Sequence, residues 1–276
     1  MRTITRGAPW GRICLLLMLA LLALEAGVAA GEATAGREED ASMASHLDAA
    51  VAEEDSVTAE DVWPLGEVRE YLFEMAGRPI GTQWNQLMAL DDVDEGAGYR
   101  LNFTLQLNLG AIGGADSLEM DGIYDLTPRG RPLAYRLNVI VNGQRQHLDI
   151  ALTDSTIQAT VVKEGVESDH ILPRLYDVFF VDNNMIGQWG LMLALLPLHL
   201  LEPIAERIFV PQALAEMDIL VEIDPRGPLP APRTEQLAYR CHLAPIGEVC
   251  WVTPEGRLVR LEDEKQDLVV TLLPPE

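Results

Sequence analysis

Tyr99-Arg100-Leu101-Asn102-Phe103-Thr104-Leu105-Gln106-Leu107-Asn108-Leu109 alternates without a break. Tyr99, Leu101, Phe103, Leu105, Leu107 and Leu109 fall on one side of an extended chain, and Arg100, Asn102, Thr104, Gln106 and Asn108 on the other. Successive side chains of a strand point to opposite faces, so this period marks a strand with one face in a core and one in water. The period recurs downstream. Leu118, Met120, Gly122, Tyr124 and Leu126 form one stripe, and Leu133, Tyr135, Leu137, Val139 and Val141 a second. Leu148, Ile150 and Leu152, then Ile157, Ala159 and Val161, continue the series.

Turn chemistry separates the stripes. Asn142-Gly143 fits the two-residue hairpin turn in which both central residues take positive φ, which pairs Val141 with Gln144 and Val139 with Gln146. Gly77-Arg78-Pro79, Pro128-Arg129-Gly130 and Glu164-Gly165 mark further reversals. From Val68 onward the pattern predicts an antiparallel meander of roughly seven long strands. A sheet of that size twists and curls, and its apolar face must be covered.

The cover is expected just after the meander. Asp182-Asn183-Asn184 offers N-cap residues, and Met185 to Leu201 is an apolar block interrupted by Gly187, Gly190 and Pro197. A helical insert over about 184–208 follows, lying across the open face or mouth of the sheet. Strands resume at Asp218–Ile223, a Pro-rich loop spans Pro225–Pro232, and two hairpins close the chain: Tyr239–Leu243 with Val249–Thr253, and Leu258–Leu261 with Leu268–Leu272. The fold class read from sequence is mainly β: a long-stranded antiparallel meander forming a curled sheet or half-open barrel, plugged by an apolar helix.

The N-terminus reads as an export signal. Arg2, Arg6 and Arg12 precede the apolar run Ile13–Leu24, which is too short to span a bilayer as a helix, and small residues place cleavage after Ala30 or Ala35. The division expected is a signal peptide over 1–30, an acidic and disordered tether over 31–63, and one β domain over 64–276. The formal charge is −23; the leader carries three Arg and one Glu, so 17 basic and 42 acidic residues remain afterwards, a charge of −25. So acidic a surface repels nucleic acid and anionic headgroups, and leaves cations, basic proteins, neutral glycans and apolar molecules as partners.

Of three cysteines, Cys14 lies in the leader, without the small residues of a lipoprotein cleavage site before it, so no lipid anchor is expected. Cys241 and Cys250 flank Ala244-Pro245-Ile246-Gly247. With Pro245 and Ile246 as loop residues, Ala244 faces Gly247 and Cys241 faces Cys250 at a non-hydrogen-bonded site, where Cα atoms approach to about 4.5 Å, within disulfide range. An exported chain permits oxidation, so a Cys241–Cys250 disulfide is expected.

No catalytic or metal constellation emerges. Cys250-Trp251-Val252 superficially matches a transglutaminase nucleophile segment, but its surroundings read as strand and no His follows it. The histidines (His46, His147, His170, His199 and His242) lack ligand spacing. Asp91, Asp92, Asp94 and Glu95 form an acidic turn without the alternating ligands and distal Glu of an EF-hand. No P-loop, Gly-x-Ser-x-Gly or Gly-x-Gly-x-x-Gly occurs.

Arg78-Pro79-Ile80-Gly81, Gly130-Arg131-Pro132-Leu133, Asp182-Asn183-Asn184 before an apolar helix, and the turn Thr253-Pro254-Glu255-Gly256-Arg257-Leu258 together resemble the DUF3108-like family of bacterial envelope proteins, over roughly Val68 to Leu273. The resemblance implies a curled antiparallel sheet akin to periplasmic lipoprotein carriers, with an apolar interior and no catalytic residues to carry over.

The functional expectation is an exported, soluble, non-catalytic protein of the periplasm or exterior, without cofactor, that binds an apolar or amphipathic, lipid-like ligand or an envelope partner. Leu105, Leu107, Tyr135, Trp189, Leu193 and Leu196 are the expected cavity lining. A structural or interaction protein with a filled core is the alternative. An outer-membrane barrel, whose strands also alternate, and an unrecognised enzyme stand behind it.

Overall fold

The computed structural model describes residues 57–90, 98–112, 117–174, 177–182, 185–230 and 235–275. The signal segment, nearly all of the acidic stretch, the acidic turn at 91–95, and Asn183 and Asn184 lie outside these residues. Among the described residues fifteen strands form one sheet. Eight make the first meander: β1 (Val68–Met75), β2 (Arg78–Leu90), β3 (Gly98–Asn108), β4 (Ser117–Leu126), β5 (Pro132–Val141), β6 (Gln144–Leu152), β7 (Thr156–Lys163) and β8 (Val166–Pro173). A two-residue strand, β9 (Phe179–Phe180), precedes the helix. After it come β10 (Ile204–Val210), β11 (Ala215–Pro228), β12 (Leu237–Ala244), β13 (Glu248–Val252), β14 (Leu258–Asp263) and β15 (Leu268–Leu272). The spatial order is β8 through β1, then β15 back through β9, so β1–β15 pairing joins the two halves. All pairings are antiparallel except β9 with β10. The sheet therefore ends in two edges, β8 and β9, and the half-barrel has a seam.

The alternation that opened the sequence reading sets the faces. Along β3, Leu101, Phe103, Leu105 and Leu107 are buried while Thr104, Gln106 and Asn108 are exposed. The outward face carries cross-strand ion pairs, Arg100–Asp125 at 2.6 Å and Arg136–Asp149 at 3.2 Å. The apolar face turns inward, opposite to the arrangement of a lipid-embedded barrel. Among the described residues no helix is long and apolar enough to cross a membrane. The Asn142–Gly143 turn has φ of 52° and 81°, and pairs Val141 with Gln144 and Val139 with Gln146 as the sequence predicts.

Two helices fill the curl. The first, α1 (Ala59–Val62), is a single turn held by a capping box between Thr58 and Asp61. It closes one rim: Ala59 N–H donates to Pro128 O (2.7 Å), Tyr99 Oη to Glu60 (2.9 Å), and Trp63 is fully buried under Arg69. Ala59, Val62 and Trp63, which fall within the stretch expected as tether, are packed here and supply apolar surface the rim would otherwise expose to water.

The second helix, α2 (Ile186–Leu195), is buried over its first eight residues and runs toward the α1 rim. It is shorter than the insert expected over 184–208. Leu196 is extended before Pro197, which cannot continue a helix, and residues 204–210 are strand β10. Gly187 and Gly190 let α2 approach the sheet. A Cβ on Gly187 would lie 2.4 Å from Asn85 Oδ1, and one on Gly190 3.3 Å from Leu258 Cβ. The opposite rim is formed by the hairpins Ala76–Gly77, Asn142–Gly143, Glu164–Gly165, the turn Ala244–Gly247, and a 3-10 turn, Pro211–Ala213, between β10 and β11.

Candidate functional site: the seam at the hairpin rim

The six residues expected to line a cavity fall inside one continuous core. Leu105, Leu107, Tyr135, Trp189 and Leu193 are buried in it, and Leu196 is partly buried against it. Tyr135 sits among aromatic rings, 6.1 Å from Phe103 and 6.4 Å from both Tyr124 and Phe180, with Phe180 4.9 Å from Phe209. None of the six lines either recess described below.

A polar node stands in this core. Asp182 is fully buried on the link between β9 and α2. It was expected to cap the helix, but the N-cap position is Met185, and the first helical N–H, of Ile186, donates to Gln83 Oε1 (2.9 Å) on β2. Asp182 instead joins three elements. Tyr135 Oη donates to its Oδ2 (2.6 Å), Gln212 N–H donates to its Oδ1 (3.0 Å), and its own N–H donates to Gln188 Oε1 (2.8 Å). Burial pushes the Asp182 carboxyl up to about 6, against the pull of the Tyr135 and Gln212 bonds. Burial, and then the Asp182 charge, raise Tyr135 well above an ordinary phenol, so it stays a proton donor.

The node positions Gln212. Its backbone is tied to Asp182, while its side chain borders a small recess of about 30 Å³ together with Leu137, Val139, Leu148, Val161 and Pro211. Gln146 and His147 also border it, the surface is otherwise mostly apolar, and Gln212 is only 6% exposed. Among the described residues its amide Nε2 has no partner, nor does that of Gln188. A buried N–H without an acceptor costs roughly 1–3 kcal/mol. Sequence reasoning missed Gln212: it follows a proline in a segment with no stripe, and only the fold brings it opposite β5–β7. Leu137, Val139 and Val161 were legible as inward stripe residues, but not as the floor of a seam.

The cysteine register is as expected: Cys241 pairs with Cys250 and Leu243 with Glu248. The turn closes differently, by Gly247 N–H donating to Leu243 O (2.7 Å) rather than through an Ala244–Gly247 pair. Both cysteines are buried thiols in this structure. Burial pushes Cys241 up to about 12 and Cys250 well above its ordinary value. Beside them, Glu248 faces Asp263 across β13–β14, both 6% exposed. Asp263 accepts from the backbone N–H groups of Lys265 and Gln266 and from the Gln266 side chain. Glu248 Oε2 has no partner. Burial first, and the Asp263 charge next, push Glu248 up to about 8, against the pull of Lys265. Among the described residues no group of three or more His, Cys, Asp and Glu could hold a metal ion.

No family model matches the chain, and no curated protein matches it. Among solved structures it is similar to the crystal structure of a beta-barrel-like protein of domain of unknown function DUF1849 from Brucella abortus. The two share 10% identity over 75% of this chain and 94% of that chain, with a TM-score of 0.48.

Proposed function

We propose that the protein is an exported, non-catalytic binder of an amphipathic ligand, seated along the seam at the hairpin rim. The observation that carries this reading is the buried amide of Gln212, without a partner among the described residues, at the edge of a mostly apolar recess that Gln146 and His147 also border. An apolar group enters the recess over Leu148 and Val161, and a carbonyl, carboxylate or phosphoryl oxygen takes the Gln212 proton. The recess admits only a small group, so most of the ligand lies along the seam. Asp182 and Tyr135 act as positioning residues, holding the Gln212 backbone against β5.

Titration of the delipidated full chain with cis-parinaric acid and with lysophosphatidylcholine tests this. Saturable binding is expected, weakened about tenfold by Gln212→Leu, the loss of one hydrogen bond to a ligand acceptor, and abolished by Val161→Arg. If neither probe binds, nor moves the thermal midpoint, the protein is no such binder. Strand β8 favours a second reading, an interaction protein. Among the described residues its outer edge is unpaired, with Val166 69% and Ile171 73% exposed. A specific envelope partner lost on deleting β8, with no lipid binding, would select it.

The leader and the facing cysteines support export to an oxidising compartment, where a thiol oxidant accepts the two electrons and two protons of the Cys241–Cys250 pair. Burial disfavours the thiolate, so the bond forms before the β12–β13 hairpin packs. It closes a loop of about ten residues, worth roughly 2–3 kcal/mol by chain entropy. Non-reducing mass spectrometry of the exported protein finding both thiols free would rule it out.

A further inference from the structure

The outward face of the meander carries a second recess, which shares Val139, Gln146 and His147 with the border of the first but does not reach Gln212. One cross-strand row runs Trp84, Thr104, Asp121, Asn138, His147 and Val162, register partner to register partner from β2 to β7. Around its Asp121–Asn138–His147 segment lies a recess of about 380 Å³, also bordered by Ile140 and Arg145. This volume falls at the lower end of the ~300–1,000 Å³ range of small-molecule sites.

The polar side chains of this row are fixed before any ligand arrives. Asn138 Nδ2 donates to Asp121 Oδ2 (2.9 Å), which turns the Asn138 oxygen toward His147 Nδ1 (2.8 Å). That contact makes Nδ1 a donor. Nε2 lies 3.9 Å from Asp149 Oδ2, while Arg136 holds Asp149 from the other side at 3.2 Å. A ligand hydroxyl beside them gives its one proton to the Asp149 carboxylate and keeps its lone pairs for a donor. Arg145, exposed and without a partner among the described residues, supplies the complementary donors. Asp121 and Asp149 stand beside Arg136 and Arg145, with Glu119 and Glu167 in the adjoining register positions, so the site presents both signs of charge.

We infer that this recess is a binding site for a neutral, hydroxyl-rich ligand, a short saccharide. Planar side chains with paired in-plane donors and acceptors match vicinal hydroxyls. Cross-strand bonds have already removed the rotamer freedom that binding would otherwise cost. The whole chain, at −23, repels anions. Trp84, outward and partly exposed, stands two pairings from Asp121, about 10 Å at sheet spacing. It offers a ring face for a further sugar unit.

Saturation-transfer NMR on the full chain, with maltotriose, cellotriose and chitotriose as neutral probes and trigalacturonate and spermidine as charged ones, tests the inference. At least one neutral trimer is expected to bind. Asn138→Leu and His147→Phe should each lower its affinity about tenfold, by removing one or two hydrogen bonds at an exposed site, with the thermal midpoint unchanged. Trp84→Ala should weaken the trimer more than the corresponding monosaccharide. Gln212→Leu should leave saccharide binding intact, which separates this site from the seam. The inference is overturned if no neutral probe binds, if only charged probes bind, or if binding survives both Asn138→Leu and His147→Phe.

Discussion

At the α1 rim, Trp63 is fully buried, its Nε1–H donates to Glu67 O (3.0 Å), and the Arg69 guanidinium lies 4.1 Å from its ring centre. Arg69 is itself bonded to Val62 O (2.7 Å) and Glu67 (3.1 Å). At the hairpin rim, Glu248 and Asp263 face each other, Glu248 with an oxygen that finds no partner, and Gln212 carries an unused amide proton. Both rims bury charge. At the first, Glu67, an aromatic face and the Val62 carbonyl meet the buried guanidinium, while its Nη1 finds no partner among the described residues and burial still lowers its pKa. At the second, like charges and unpaired groups leave the desolvation standing. Buried polar groups are costly unless partnered, and each rim keeps at least one that is not, so the contrast lies in the sign of the neighbouring charge: opposite around Arg69, like around Glu248.

The sharpest way to break this comparison is Trp63→Ala. Removing a fully buried indole is expected to cost about 3–5 kcal/mol and to strip Arg69 of its aromatic cover. Urea denaturation would show a lower midpoint at unchanged slope. A cost under about 1 kcal/mol, the level of a surface change, would mean that the α1 rim is not a seal.

The next effect lies at the hairpin rim and depends on pH. Glu248 has a folded-state pKa of about 8, raised by burial and by Asp263 from an ordinary value of 4.5. A raised acid pKa means that the folded state holds a proton the unfolded chain has lost. The associated stability is complete below about pH 4.5 and is lost as pH rises to about 8. Linkage sets a ceiling of about 5 kcal/mol for such a shift. A rim position rehydrates on ionising, so about 2–3 kcal/mol is the expected loss. Glu248→Gln should match the parent near pH 5, exceed it at pH 9, and flatten the profile above pH 6. Below pH 6 a smaller slope of the same sign should persist from Asp182, whose carboxyl is pushed up to about 6. Denaturation at several pH values checks both, and a variant profile parallel to the parent's would remove Glu248 as the cause.

The sequence revealed strands better than rims, for a physical reason. A strand such as β3 declares its faces through a period of two that any window of the chain displays. Strand β8 was missed because an edge is solvated on more than one side: Val166, Glu167, Ser168 and Asp169 are all exposed and carry no stripe. The helix was visible as an apolar block, but its end was not, since Leu198 and Ile208 are as apolar as Leu193 and differ only in lying beyond Pro197. Asp182 read locally as a cap; Tyr135, 47 positions earlier, claimed it instead. Both cysteines and their register were legible from one hairpin. Gln212 and the facing of Glu248 with Asp263 needed long-range pairing that no local period encodes.

The smallest predicted effects sharpen the comparison most, because they hold backbone strain constant across the rims. Gly143, at the hairpin rim, has φ of +81° and a Cβ there would meet nothing within 4 Å. Gly256, at the α1 rim, has φ of +78°, but its Cβ would lie 3.0 Å from Ala194 Cβ and 3.1 Å from Val62 Cβ. Both alanine variants incur the same left-handed penalty, about 1 kcal/mol. Only Gly256→Ala must also push α2 and α1 apart, an overpacking cost of about 1–2 kcal/mol. Gly143→Ala should therefore lower stability by about 1 kcal/mol and Gly256→Ala by about 2–3 kcal/mol, read as paired urea midpoints. The difference between the two measures how tightly α1 and α2 close their rim, free of the turn itself. Equal costs would show that the closed rim yields as easily as the open one, and the distinction between them would then rest on charge alone.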